Sequence, residues 1–151
     1  SMGTTELRTL ARTGLLVLLG SACKATLDAR VIEGADIGEN QDFFVVKRMS
    51  DARGIDMIVR EKLREFGRSA ESGDSSAIDS EVDIAVLYED QWEWDMSDFL
   101  LSLKITFRDI KTDETLAEGR SVRYSLARKP ATEMTHEVIA AIFAKAAEQQ
   151  P

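Results

Sequence analysis

Three residue types are scarce in this 151-residue chain: one cysteine, one histidine and two prolines. A lone Cys23 excludes an internal disulfide, a thiolate metal cluster and a CxxC redox pair. A lone His136 excludes a zinc site of histidine and cysteine, and no G-x-S-x-G surrounds any serine, so a nucleophile–histidine pair has no obvious place. The prolines, Pro130 and Pro151, leave most of the chain free of breaks. No apolar run reaches the roughly 18–20 residues that span a bilayer. Positive charge is also short: 19 lysines and arginines against 27 acidic residues give a net −8. Such a chain has no electrostatic footprint for nucleic acid or anionic headgroups. There is no glycine-rich phosphate loop, and "ESGDSSAIDSEVD" (71–83) does not supply the D-x-D-x-D-G of a calcium loop.

What is present begins with an N-terminal address. Residues 1–23 read "SMGTTELRTLARTGLLVLLGSAC": Arg8 and Arg12, then an apolar 14–22 ending in Gly20, Ser21 and Ala22, then Cys23. This resembles a bacterial lipoprotein signal, in which the peptide is cut before a cysteine that carries lipid on its sulfur. The resemblance implies a lipid anchor on Cys23 and, with Lys24 rather than aspartate next, an outer-membrane location with the domain facing the periplasm. Gly20 departs from the leucine usual there. The same residues also fit an amphipathic helix, with Leu7, Leu10, Ala11, Leu15 and Leu18 on one face.

Residues 23–41 read as a tether with at most a brief edge strand around "RVIEG", and 42–151 as one α+β domain. "DFFVVKRM" (42–49), apolar on both faces, predicts a central strand. Residues 50–67 predict a helix capped by Ser50 or Asp51, buried through Ile55, Ile58, Val59, Leu63 and Phe66, and ended by Gly67. Residues 68–80 read as a polar loop. "EVDIAVLYEDQWEWDM" alternates with period two, Val82 to Met96 on one parity, and its length calls for a bend or bulge near Asp90. In 98–109, Phe99, Leu101, Leu103, Ile105 and Phe107 share a face. This strand should pair with 116–127 across the turn "IKTDET". Gly119 marks a bulge or a close backbone approach. A last helix, about 131–148, buries Met134, Val138, Ile139, Ile142 and Phe143, with His136 at its rim. The order β-α-β-β-β-α suits a two-layer sandwich: a mainly antiparallel sheet of about four strands with two helices on one face.

Both tryptophans sit in "YEDQWEWD" (88–95). Parity places Trp92 and Trp94 with the apolar face, closing the core, with Asp90 or Asp95 as acceptors for an indole N–H. The alternative is an aromatic rim for a partner or ligand. The segments 42–67, "YEDQWEWDM" and "SLARKPATEM…EVIAAIF" resemble a family of small bacterial lipoproteins with a D-x-W-x-W-D strand, here Asp90, Trp92, Trp94 and Asp95, and an S-L-x-R segment before the last helix. Pro130 departs from that family's serine-proline pair. The family carries no assigned activity, so the resemblance implies location and architecture.

Asp83, Glu89, Glu93 and Asp95 share one strand face, about 7 Å apart at i, i+2, a spacing open to a glycosidase-like pair. The bland reading is a solvated face. The sequence therefore predicts a non-enzymatic envelope lipoprotein without cofactor or metal. It would dock to envelope proteins as an accessory of an outer-membrane or transport assembly, with self-association left open. The rival is a small-molecule or glycan module at the Trp92/Trp94 end; a carboxylate hydrolase is third.

Overall fold

The computed structural model describes residues 25–150. The cleavage region, Cys23 and the alternative N-terminal helix lie outside the described residues. Six strands form one sheet: β1 (Ala25–Val31), β2 (Asp42–Val46), β3 (Ser69–Gly73), β4 (Ile84–Trp94), β5 (Asp98–Asp109) and β6 (Thr115–Arg123). Helix α1 (Ile55–Glu65) follows β2 and α2 (Ala131–Glu148) follows β6. The spatial order is β1-β6-β5-β4-β2-β3. β2 runs parallel to both β3 and β4; every other pair is antiparallel.

The α+β class and the two helices agree with the sequence; the sheet is larger and mixed rather than four-stranded and antiparallel. Two strands account for the difference. Residues 25–31, read as tether, pair along their whole length with β6, and Ile37 in the following loop is buried. Residues 69–73, read as loop, become β3. "SAESG" buries only Ala70, so it carries no hydrophobic period. Its backbone is ordered by β2 and by Arg64, whose Nε donates to the Ala70 carbonyl at 2.8 Å. The β2–α1–β3 unit is thus a crossover that adds a parallel edge.

α1 starts later than the spacing suggests. Gly54, at φ +72°, is its N-cap and offers no side chain. Asp51 acts from upstream instead: Oδ1 accepts from the N–H groups of Arg53 and Gly54 at 2.8 and 2.9 Å, and Oδ2 from that of Asp56 at 3.3 Å. The other end is a Schellman motif. Gly67 at φ +79° donates to the Arg64 carbonyl, and Arg68 to that of Leu63.

Both helices cover one face of the sheet. Ile55, Val59 and Leu63 of α1 and Met134, Val138, Ile139 and Ile142 of α2 meet Phe43, Val45, Val86, Leu103, Ile105 and Phe107 in one core. Ile58, Phe66 and Phe143 are only partly buried at its margin, and His136 lies exposed with its ring 5.2 Å from Phe66. Gly119 is a close approach. A Cβ there would sit 2.9 Å from Cγ1 of both Val138 and Ile142, so α2 rests on bare backbone.

The expected irregularity falls between Gln91 and Trp92, and the extra residue belongs to the partner strand. Gln91 faces Ser102 while Trp92 faces Leu100, so Leu101 of β5 is bulged out. The parity of β5 therefore flips. Leu100, at 1 % exposure, joins the core, whereas Phe99 pairs with Glu93 and passes to the other face. The expectation that Phe99 and Leu101 continue the core face is corrected by this bulge.

Candidate functional site

β4 outruns the helices that cover it. Ile84, Val86 and Tyr88 are buried, Trp92 is half-buried, and Trp94 is 73 % exposed. The alternation on β4 is intact, so the tryptophans do share the face of Val86; the core simply ends before Trp94. The reading that both tryptophans close the core is thus corrected for Trp94 and kept, in part, for Trp92.

Trp92 is held on two sides. Its indole N–H donates to Oδ2 of Asp90 at 2.8 Å, and the Arg53 guanidinium lies 3.7 Å from the ring centroid. Asp90 also pairs with Arg48 at 3.0 Å, and Arg53 reaches Asp98 at 3.3 Å. The loop after β2 and the start of α1 are thereby tied to the β4–β5 hairpin. Deeper in, the Tyr88 hydroxyl donates to Asp51 Oδ2 at 2.6 Å and accepts from the Arg48 N–H at 3.0 Å. Burial and the neighbouring carboxylate push the Tyr88 phenol well above its usual range. Burial would raise the Asp51 carboxyl, but the Tyr88 hydroxyl and three backbone N–H groups hold it below the ordinary value.

The two sequence hallmarks meet at the hairpin tip. Ser125 donates from its hydroxyl to Asp95. Arg128 donates to the Asp95 carbonyl at 3.1 Å, to Ser97 Oγ at 3.0 Å and to Ser125, and lies over the ring of Phe99. Asp95 and Arg128, remote in sequence, are one clasp. Behind it, Glu137 of α2 accepts from Arg123 at 2.8 and 2.9 Å and from the buried Ser121 hydroxyl, and pairs with Lys129 at 3.3 Å. Burial alone would raise Glu137; these donors outweigh it and bring its carboxyl down to about 2. α2 is fastened to β6 through this carboxylate, and the turn Ser125–Ala127 through Arg123, which donates to the Ala127 carbonyl at 3.1 Å.

The result is a rigid frame around an uncovered apolar end. Met96, at φ +62° on the hairpin tip, is 90 % exposed; Leu126, in the clasped turn, is 97 % exposed, and Tyr124 beside it is 56 % exposed. Of the four residues singled out from the sequence, Asp90 and Trp92 are brought together, Asp95 joins Ser125 and Arg128, and Trp94 stands free of both. The sequence missed Arg48, Arg53, Tyr124 and Leu126. Nothing in the spacing of Arg53 signals the ring it covers.

Three of the four carboxylates in the strand series have partners of their own, and Glu93 is exposed. Asp83 accepts from the Asp42 N–H at 2.8 Å, Glu89 lies 3.6 Å from Lys104, and Asp95 belongs to the clasp. No cluster of three metal-ligating side chains occurs among the described residues. The open face of the sheet carries a shallow polar groove of about 310 Å³ along Glu89, Gln91, Ser102, Lys104 and Arg120.

No protein-family model matches the chain, and no characterised protein matches it by sequence. Solved structures do match by fold. TolB from Acinetobacter baumannii shares 15 % identity over 82 % of this chain and 32 % of its own, with a TM-score of 0.47. PelC from Paraburkholderia phytofirmans, a dodecamer, shares 14 % identity over 77 % of this chain and 97 % of its own, with a TM-score of 0.60. A second crystal form of PelC gives 13 % identity, 78 % and 98 % coverage, and the same score. At that identity the likeness speaks for the fold: the sheet and two helices described above are similar in arrangement to a PelC subunit.

Proposed function

We propose that the chain is a bacterial cell-envelope lipoprotein, anchored by lipid on Cys23 to the outer membrane and facing the periplasm, that works by contact rather than catalysis. Its role is a docking accessory of an outer-membrane or transport assembly. The observation that supports working by contact is the uncovered apolar end. A strongly acidic chain keeps Trp94, Met96, Tyr124 and Leu126 in water. Such a surface is made to be covered. The likeness in fold to a dodecamer-forming protein favours copies of this chain as lateral neighbours.

The rival reading, a glycan or small-molecule module at the tryptophans, has less to work with. Arg53 already occupies the stacking face of Trp92, so one exposed ring remains. Mass spectrometry and crosslinking of the protein from its own host test the proposal. Expected are a mature chain beginning at lipidated Cys23 and discrete protein adducts. A chain beginning at Met2, or a clean monomer holding a small molecule, overturns it.

A further inference from the structure

The end of the sheet that carries the apolar side chains is also the end at which the chain enters the fold. β1 begins at Ala25, which pairs with Arg123 of β6, and Tyr124 and Leu126 follow directly. Across the sheet, β5 begins and β4 ends at this same end. β2 is parallel to β4, so Met49, fully exposed just past β2, lies there too. The half-exposed Leu27 sits two residues inside β1. Of the other large apolar side chains in water, Ile32 lies at the far end of β1 and Met57 on α1.

Cys23 precedes Ala25 by two residues in the sequence, a length of chain that spans at most about 7 Å. β4 is three strand spacings from β1, about 14 Å. A lipid on Cys23 would therefore bring the whole apolar end down to the surface in which the lipid is seated.

We propose that the side chains of Trp94, Met96, Tyr124 and Leu126 enter the interfacial layer of the leaflet that holds the Cys23 lipid, and fix the domain's orientation on it. This rests on the lipoprotein reading above and names what the apolar end touches. The chemistry fits the interface. Tryptophan and tyrosine settle at headgroup level, apolar body inward and polar edge outward, and flexible methionine and leucine fill the acyl boundary.

Charge agrees as well. The chain as a whole is acidic, yet at this end Asp95 is matched by Arg128, Asp98 by Arg53, and Glu137 by Arg123 and Lys129. The acidic repulsion that would hold the molecule off a lipid surface is locally reduced, with Glu93 the exposed carboxylate left on the hairpin. With this end on the leaflet, the edge strands β1 and β3 stand up from it, and both they and the polar groove of the open face stay accessible to neighbouring proteins.

The native protein, purified from its host and reconstituted into phosphatidylethanolamine vesicles, tests this with its own fluorescence. Trp92→Phe leaves Trp94 as sole reporter, and Trp94→Phe leaves Trp92. Expected, for lipidated protein, is a blue shift of the Trp94 signal on reconstitution, with strong quenching by lipids brominated near the carbonyl end of the acyl chain. Trp92, shielded by Arg53, should respond much less. A lipidated chain whose Trp94 keeps red-shifted emission and is quenched only by aqueous acrylamide overturns the inference. So does Trp94 emission that is blue-shifted but untouched by brominated lipid, which would mean that a protein covers the ring. In both cases the lipid-anchored reading survives. A chain without lipid on Cys23 removes the reading and the inference together, and the same mass spectrum reports it.

Discussion

Replacing Glu137 by glutamine should destabilise the fold at neutral pH, and the loss should disappear on acidification. Glu137 of α2 holds Ser121 and Arg123 of β6 and Lys129, and Arg123 in turn donates to the Ala127 carbonyl. The Glu137 carboxyl titrates near 2 in the folded chain against 4.5 for the free group. A displacement of one pH unit is worth about 1.4 kcal/mol, so the carboxylate contributes at most roughly 3.5 kcal/mol. Its side chain is 13 % exposed, so solvent reaches it, and glutamine keeps one acceptor oxygen for Ser121 or Arg123. We expect a loss of about 2 kcal/mol at pH 7, close to the cost of removing charge from a hydrogen-bonded pair.

The folded value is depressed, so the contribution is complete above pH 4.5 and is lost as pH falls toward 2. Urea titrations of wild type and Glu137→Gln at successive pH values read this directly. At pH 7 the midpoints should differ by about 1 M, for a slope of roughly 2 kcal/mol per M. The two curves should converge below pH 4.5. Asp36, Asp51 and Asp109 are depressed too, but they act equally on both proteins and cancel in the difference. A difference that is absent at pH 7, or that stays constant down to the acid limit, would refute the assignment.

Trp94→Ala should change stability by no more than about 0.5 kcal/mol, as a surface substitution, while Trp92→Ala should cost about 2 kcal/mol through lost packing, the Asp90 hydrogen bond and the Arg53 stack. Denaturation of the two variants side by side checks the order, which reverses if the core reaches Trp94. Gly119→Ala forces a methyl against Val138 and Ile142 and should cost about 1–3 kcal/mol, although alanine favours a strand over glycine; thermal unfolding measures it. Asp51→Ala removes the acceptor that starts α1 and the partner of the Tyr88 hydroxyl. It should cost about 2 kcal/mol and bring the Tyr88 phenol down toward ordinary tyrosine values, visible in ultraviolet titration as long as the fold holds.

The elements that carry their own period were legible in the sequence. α2 was placed at its observed bounds because Met134, Val138, Ile139 and Ile142 repeat at helical spacing, and the β4–β5–β6 meander follows from alternation and turn residues. β1 and β3 were not, because an edge strand half in water owes its order to a neighbour's backbone, which leaves no mark on its own side chains. The face of Trp92 and Trp94 was legible, but where the core stops along that face was not. Burial depends on how far α1 and α2 extend over the sheet, and that is settled by tertiary packing. The bulge at Leu101 is similar: the expectation of an irregularity came from strand length, whereas its seat on β5 follows from how two strands share their register. At the candidate site, the Asp90–Trp92 pair could be inferred from i, i+2 spacing on one face. The Asp95–Ser125–Arg128 clasp closes over a distance that no local pattern spans.

The pairing of β1 with β6 also sets an order of assembly. β4, β5 and β6 follow one another through short turns, so they can associate at little cost in chain entropy. Ala25 must find Arg123 and Val31 must find Ala117, almost the full length of the fold away. β1 is therefore the strand whose docking waits for all the others, and β6 presents an unpaired edge until it arrives. In a chain emerging amino end first, β1 stays loose while the rest of the sheet forms. On the lipoprotein reading proposed above, an enzyme acting at Cys23 would therefore meet a peptide ahead of a strand that has not yet docked.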